Sequence, residues 1–273
     1  MLQKENISFF SIFKKKYNYK HPQKNRIIQN TKKMSSGSKY SEGVRQYDNG
    51  KYVGEFYDGI REGKGIFYYN NGEKYDGDWK NGRIEGKGSY TYKSGSKYDG
   101  EWKNGNMEGT GIFYYQNGDK YVGHFEKDLK NGKGIMYYDG GDKYDGEWKK
   151  GLMDGKGIFY YASKSKYEGY YKEGKKNGKG ILYYNDGDIY NGNWKNDKRD
   201  GKGVLEFHNN EKYDGEWKDD VMNGKGVYNF DNGDIYDGEW KKGKAEGKCR
   251  FYHSSQGKWV NEIWKDNQFW KEA

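Results

Sequence analysis

Along most of the chain, apolar and polar positions alternate with period two over short stretches, break at a polar or glycine-bearing turn, and then alternate again. The stretch YDGEWKKGLMDGKGIFYY, Tyr144–Tyr161, shows the unit. Tyr144, Gly146 and Trp148 fall on one face of an extended strand, and Asp145, Glu147 and Lys149 fall on the other. After the break, Gly155, Gly157, Phe159 and Tyr161 resume the period. Two such runs around a turn predict a β-hairpin.

The unit recurs. Tyr52, Tyr75, Tyr98, Tyr121, Tyr144, Tyr167, Tyr190, Tyr213 and Tyr236 stand 23 residues apart, without an insertion. Counting each of these tyrosines as offset 0, offset 2 is glycine in all nine units, and offset 4 is always Trp, Phe or Tyr. Offset 7 is Gly or Asp, and offset 10 is acidic or Asn. Offset 11 is glycine in all nine, and offset 13 is glycine in all but the last, where Cys249 replaces it. The turn is expected over offsets 7 to 10 and the second strand over offsets 11 to 17. Glycine inside a strand costs about 0.5–1 kcal/mol relative to alanine and marks close approach by another group. Tyr and Trp rings of one strand are therefore expected over the glycines of its neighbour. No single hairpin can bury such rings, but a stack of hairpins can.

The other face carries largely acidic residues at offsets 1 and 3, Lys at most of the offset 5 positions, and Lys at offset 12 in eight of nine units. These columns read as solvated salt-bridge ladders. Offsets 14 and 16 interrupt them with a stripe of Ile66, Ile112, Ile135, Ile158, Ile181, Val204 and Val227 alternating with Tyr68, Tyr114, Tyr137, Tyr160 and Tyr183. Either curvature of the sheet covers this stripe or it is a ridge for a partner.

Composition sharpens the picture. Leu, Ile, Val and Phe together make up only about 14% of the 273 residues, low enough to suggest disorder by itself, yet aromatic residues reach 19% and there are 43 glycines. A core built from rings against glycines satisfies both facts. The net charge of +9 lies in residues 1–39, which hold ten Lys/Arg against Glu5, so the remainder is neutral. This segment is read either as a solvated tail, disordered or partly helical, or as an anchor for an anionic surface. Phe9, Phe10, Phe13, Lys14, Lys15, Lys16 and Lys20 would then touch the membrane, since aromatics beside a basic cluster suit an interface. No apolar stretch has the length of a transmembrane helix. The single cysteine excludes an internal disulfide, which suits a reducing compartment.

The pattern YxGxWxxGxxxGxGxxxxxxG, seen in full in YDGEWKNGNMEGTGIFYYQNG from Tyr98, resembles the MORN (membrane occupation and recognition nexus) repeat. The resemblance spans residues 52–258. It implies an all-β, elongated, twisted single-layer antiparallel sheet of stacked hairpins. It also implies scaffolding or tethering at membranes, cilia or the cortical cytoskeleton, with phosphoinositide binding in some members and self-association in others. The expected layout is a basic extension over 1–39, an array over 40–258 that opens with a half-repeat at 40–51, and a Trp-rich end over 259–273. There Trp259, Trp264 and Trp270 either close the last hairpin or join two arrays.

Catalysis is not expected. His21, His124, His208 and His253 occupy unrelated offsets, so no repeated metal or acid–base set exists. Cys249 with His253 reads as a small-residue replacement rather than a nucleophile. The recurring GKG lacks the Ser or Thr and the glycine spacing of a phosphate-binding loop. No cofactor or metal is expected. A neutral array with packed rings argues against nucleic acid. Expected partners are proteins, with anionic membrane lipids and a second copy at an array end as further candidates. The expected location is cytoplasmic, at a membrane, the cytoskeleton or a cilium.

Overall fold

The computed structural model describes residues 39–273. The candidate membrane residues Phe9, Phe10, Phe13, Lys14, Lys15, Lys16 and Lys20 lie outside the described residues. Within them, 21 strands form one open antiparallel sheet in which each strand pairs with the next along the chain. The half-repeat supplies β1 (Tyr40–Tyr47). The first full repeat starts in β2 (Gly50–Tyr57) and continues in β3 (Ile60–Tyr69), followed by β4 (Lys74–Lys80), β5 (Arg83–Thr91), β6 (Lys97–Lys103), β7 (Asn106–Tyr114), β8 (Lys120–Glu126) and β9 (Leu129–Tyr137). From β10 to β18 the alternation runs on from Lys143 to Lys241, and β19 (Lys244–His253), β20 (Lys258–Lys265) and β21 (Gln268–Glu272) end the sheet.

The hairpin differs from the sequence expectation in its turn. The turn occupies only offsets 6 and 7, and the second strand starts at offset 8. Asn81 and Gly82 show why, with φ of 50° and 77°. Two central residues with positive φ make the tight turn whose twist matches that of the flanking strands. Where offset 7 is not glycine, the aspartate stabilises the turn in another way: Asp128, Asp197 and Asp220 each accept the backbone N–H at offset 9 of the preceding repeat through Oδ1, at 2.7–2.8 Å.

The two glycines of the second strand have different jobs. Offset 11 lies in a bulge: Gly77 pairs Gly88 while Trp79 pairs Ile84, so Gly86, with φ of 70°, has no partner in β4 and pairs only with Trp102 of β6. A side chain there would be strained. Offset 13 stays in the ladder. Gly43 pairs Gly54, Gly54 pairs Gly65, and so on through Gly226 and Gly238, one glycine per strand from β1 to β18. Cys249 and then Glu262 take the place of glycine in β19 and β20. The repeat tyrosine of each unit lies flat on this seam. A Cβ added to Gly157 would come within 2.6 Å of the Tyr144 ring, and one added to Gly146 equally so. The ring thus covers the glycine of its own strand as well as that of its neighbour.

Candidate interaction surface

The ring face is closed by its own side chains. All nine repeat tyrosines are fully buried. Each stands edge-on to the offset-4 ring of its own unit and to that of the next, as in Tyr75 with Trp79 at 5.3 Å and with Trp102 at 5.5 Å. The ladder runs unbroken to Tyr236 and Trp264 at 5.3 Å. Each tyrosine hydroxyl donates to the offset-3 carbonyl beside the bulge; Tyr144 reaches that of Glu147 at 3.1 Å. Each repeat tryptophan donates across to a seam glycine of the preceding unit, Trp148 to the Gly134 carbonyl at 3.0 Å. Edge-to-face ring pairs contribute about 0.5–1.5 kcal/mol beyond burial, so these rings bind repeat to repeat as well as filling space.

A row that the sequence reading missed caps the ladder. Offset 9 is Arg61, Ile84, Met107, Lys130, Met153, Lys176, Arg199, Met222 or Ala245. Arg61, Lys130, Lys176 and Arg199 lie 4.0–4.6 Å from the centre of the next unit's tryptophan ring. Tyr92 Oη lies 4.0 Å from Met107 Sδ, so this row meets offset 17 of the preceding unit over the rings. Only the mixture of cations with Ile and Met at one offset hinted at this role. Lys130 is buried, and desolvation pulls its pKa down to about 8. Tyr171, which stands where most units have Trp, leaves its buried hydroxyl without a partner.

The opposite face is open and carries three rows that run across the strands. The outermost alternates Lys and Tyr: Lys97, Tyr114, Lys120, Tyr137, Lys143, Tyr160, Lys166 and Tyr183 are successive cross-strand partners. Lys120, Lys143 and Lys166 sit 4.6, 4.1 and 4.3 Å from the ring centres of Tyr137, Tyr160 and Tyr183. The middle row places Ile66, Ile112, Ile135, Ile158 and Ile181 between the offset-1 residues of neighbouring strands, as Ile158 between Asp145 and Glu168. These isoleucines and Tyr183 are half-buried, while Tyr68, Tyr114, Tyr137 and Tyr160 are exposed. The stripe therefore lies on the charged face and keeps part of its surface in water. The third row pairs offset 12 with offset 3, and its acids do more than balance charge. Asp78 Oδ2 accepts the Lys87 N–H at 2.8 Å, and Lys64 beside it helps to hold the Asp78 carboxyl below its ordinary range.

Between the second and third rows, over the bare backbone of the seam, runs an open groove of about 660 Å3. Ile158, Ile181 and Glu168 form one wall, and Lys156, Lys179 and Tyr170 form the other. Such a groove can hold an extended segment or the edge of a partner. Among the described residues no cluster of three or more His, Cys, Asp or Glu side chains could hold a metal ion. Burial pushes the Cys249 thiol up to about 12, which keeps it protonated, and His253 faces Glu262 at 2.8 Å.

The structure separates the three C-terminal tryptophans. Trp264 continues the ring ladder and stacks on Phe251 at 5.3 Å. Trp259 is exposed on the charged face beside Tyr252 and Arg250. Trp270 is 61% exposed in the edge strand β21, next to Phe269, which is also exposed.

An open sheet of identical hairpins with a filled ring face and a variable charged face defines a repeat scaffold. The family model described as MORN repeat matches nine consecutive segments, 52–74, 75–97, 98–120, 121–143, 144–166, 167–189, 190–212, 213–235 and 236–261, and the chain belongs to that family. No curated protein matches the chain. Among solved structures, the TCP10 domain of Danio rerio CPAP is similar at 11% identity and a TM-score of 0.42, covering 76% of this chain and 98% of that one. The SAS-4 TCP domain of Drosophila melanogaster, solved with a proline-rich motif of Ana2, is 16% identical with a TM-score of 0.37, covering 65% and 90%.

Proposed function

We propose that this protein is a non-catalytic scaffold or tether. The array holds protein partners on its charged face, and the basic N-terminal segment attaches it to an anionic, phosphoinositide-bearing membrane. The observation that supports the first half is the half-exposed Ile/Tyr stripe, repeated beside the groove. The second half is supported by the sequence of Phe9–Lys20, where each basic residue near an anionic surface contributes about 1 kcal/mol. Pairing of two arrays through the exposed β21 edge belongs to the same reading.

The test is co-sedimentation with liposomes of varied phosphoinositide content, using the full chain and a version that starts at Met34. Binding by the full chain alone, weakened by salt, supports the anchor. Binding by neither sinks it. In that case the second reading applies, a protein-only scaffold of ciliary or cortical cytoskeletal assemblies, which the stripe supports independently of the N-terminal segment. Removal of residues 1–39 should then leave localisation unchanged.

A further inference from the structure

On the charged face the middle row normally alternates, an aliphatic residue at offset 14 and a polar one at offset 1, so each isoleucine is isolated from the next. Repeat 4 breaks the rule. Val122 pairs with Ile112 on one side and with Ile135 on the other, which joins three aliphatic side chains across β7, β8 and β9. Tyr114 and Tyr137, both exposed, flank Lys120 in the next row and extend the patch. At offset 3 of the same repeat His124 stands where Glu147 stands one repeat later, and it pairs with Thr110. In repeat 7 the two positions are Asn191 and Asn193, which are uncharged but polar.

The cations around this patch are available. Lys97 is tied to Asp99 at 2.8 Å. Lys120 and Lys143 lie over tyrosine rings and, among the described residues, form no ion pair, whereas Lys133 stands opposite Glu147 in the third row. A similar aliphatic triplet, Val44, Val53 and Ile66, lies across β1 to β3, but there Lys64 and Lys74 are paired with Asp78 and Asp76. The half-buried triplet ends at Asp99 and Asp145 within its own row, and its free cations, Lys120 and Lys143, lie in the outer row beside the exposed Tyr114 and Tyr137, which fits an apolar ligand whose negative charge reaches that outer row.

We propose that the patch formed by Ile112, Val122, Ile135, Tyr114 and Tyr137 docks an acidic segment of a partner protein, with its apolar side chains on the triplet and its carboxylates at Lys120 and Lys143 in the outer row. The proposal rests on the scaffold reading and deepens it. Recognition is thereby concentrated at one repeat of an otherwise uniform array.

The experiment pans a random-peptide display library on the full chain and then titrates a synthetic copy of an enriched peptide. The enriched peptides should combine Asp or Glu with Leu, Ile, Phe or Trp. Val122→Asp should weaken the titrated peptide about tenfold, which is about 1.4 kcal/mol. This variant should fold, because Asp145 already occupies the same offset between Ile135 and Ile158. Lys120→Glu with Lys143→Glu should weaken it at least as much, and added salt should weaken binding to the wild-type chain. Asn191→Asp, the same position three repeats away, should have no effect. Enriched peptides that bind Val122→Asp and wild type equally overturn the patch and leave the scaffold reading standing. Basic enriched peptides overturn the charge assignment. A library that yields no binder overturns both.

Discussion

The two faces of this sheet follow different rules. On the ring face each position is defined by a neighbour: a glycine under a tyrosine, a carbonyl opposite an indole N–H, a cation over a tryptophan. Tyr52 through Tyr236 are invariant within the chain because each fills the same space. On the charged face the rows tolerate Asp, Glu, Asn or Val at one offset and Lys or Thr at another, since few contacts there depend on shape. Stability thus sits on one side of the strands, which leaves the other side free to vary and to recognise.

The comparison should be breakable at several points. Trp148→Ala removes a buried ring and a hydrogen bond at once and should cost about 3–5 kcal/mol in denaturant unfolding. Lys130 comes next. Its pKa, depressed to about 8 by burial, lies below its ordinary value of 10.5. Below about pH 8 both states are protonated and the folded state bears the full desolvation cost, so stability should rise with pH between those two values. Lys130→Met, the residue found at the same offset as Met107, Met153 and Met222, should remove that slope and stabilise the array near neutral pH by roughly 2 kcal/mol. Gly157→Ala drives a Cβ into the Tyr144 ring and should cost about 1–3 kcal/mol. Tyr171→Phe removes the orphaned hydroxyl and should stabilise by about 1 kcal/mol. Asp145→Ala, on the other face, should stay within about 0.5 kcal/mol. Urea midpoints across a pH series would check all five.

Much of this was legible from residue spacing. The period of 23 announced the repeat, and the period of two assigned Tyr, Gly and Trp to one face and the Ile/Tyr stripe to the other. The turn was not legible in the same way. Offsets 7 and 10 are polar or glycine, offsets 8 and 9 mix Ile, Leu and Met with Lys and Arg in no fixed order, and only the backbone shows that Glu85 belongs to a strand and caps the Asn104 N–H of the next turn at 2.9 Å. Nor could glycine count alone separate Gly155, needed for its φ of 110°, from Gly157, needed for the space beneath Tyr144. The offset-9 row was hidden because Arg61, Met107 and Lys130 look unlike one another, although Arg61 and Lys130 each cover a ring and Met107 is buried beside the Tyr92 hydroxyl. The surface was legible as a stripe, but the continuous apolar segment beside Lys120 emerged only once register placed Val122 between Ile112 and Ile135.

The division between the faces is tested most directly by replacing Ile112, Ile135 and Ile158 together with Lys and comparing urea unfolding and circular dichroism with those of Trp148→Ala. The expected result is a folded array that loses less than about 1.5 kcal/mol and no longer binds peptides enriched on the wild-type chain. A triple variant that unfolds as readily as Trp148→Ala would show that the charged face also carries the fold, and would contradict the division.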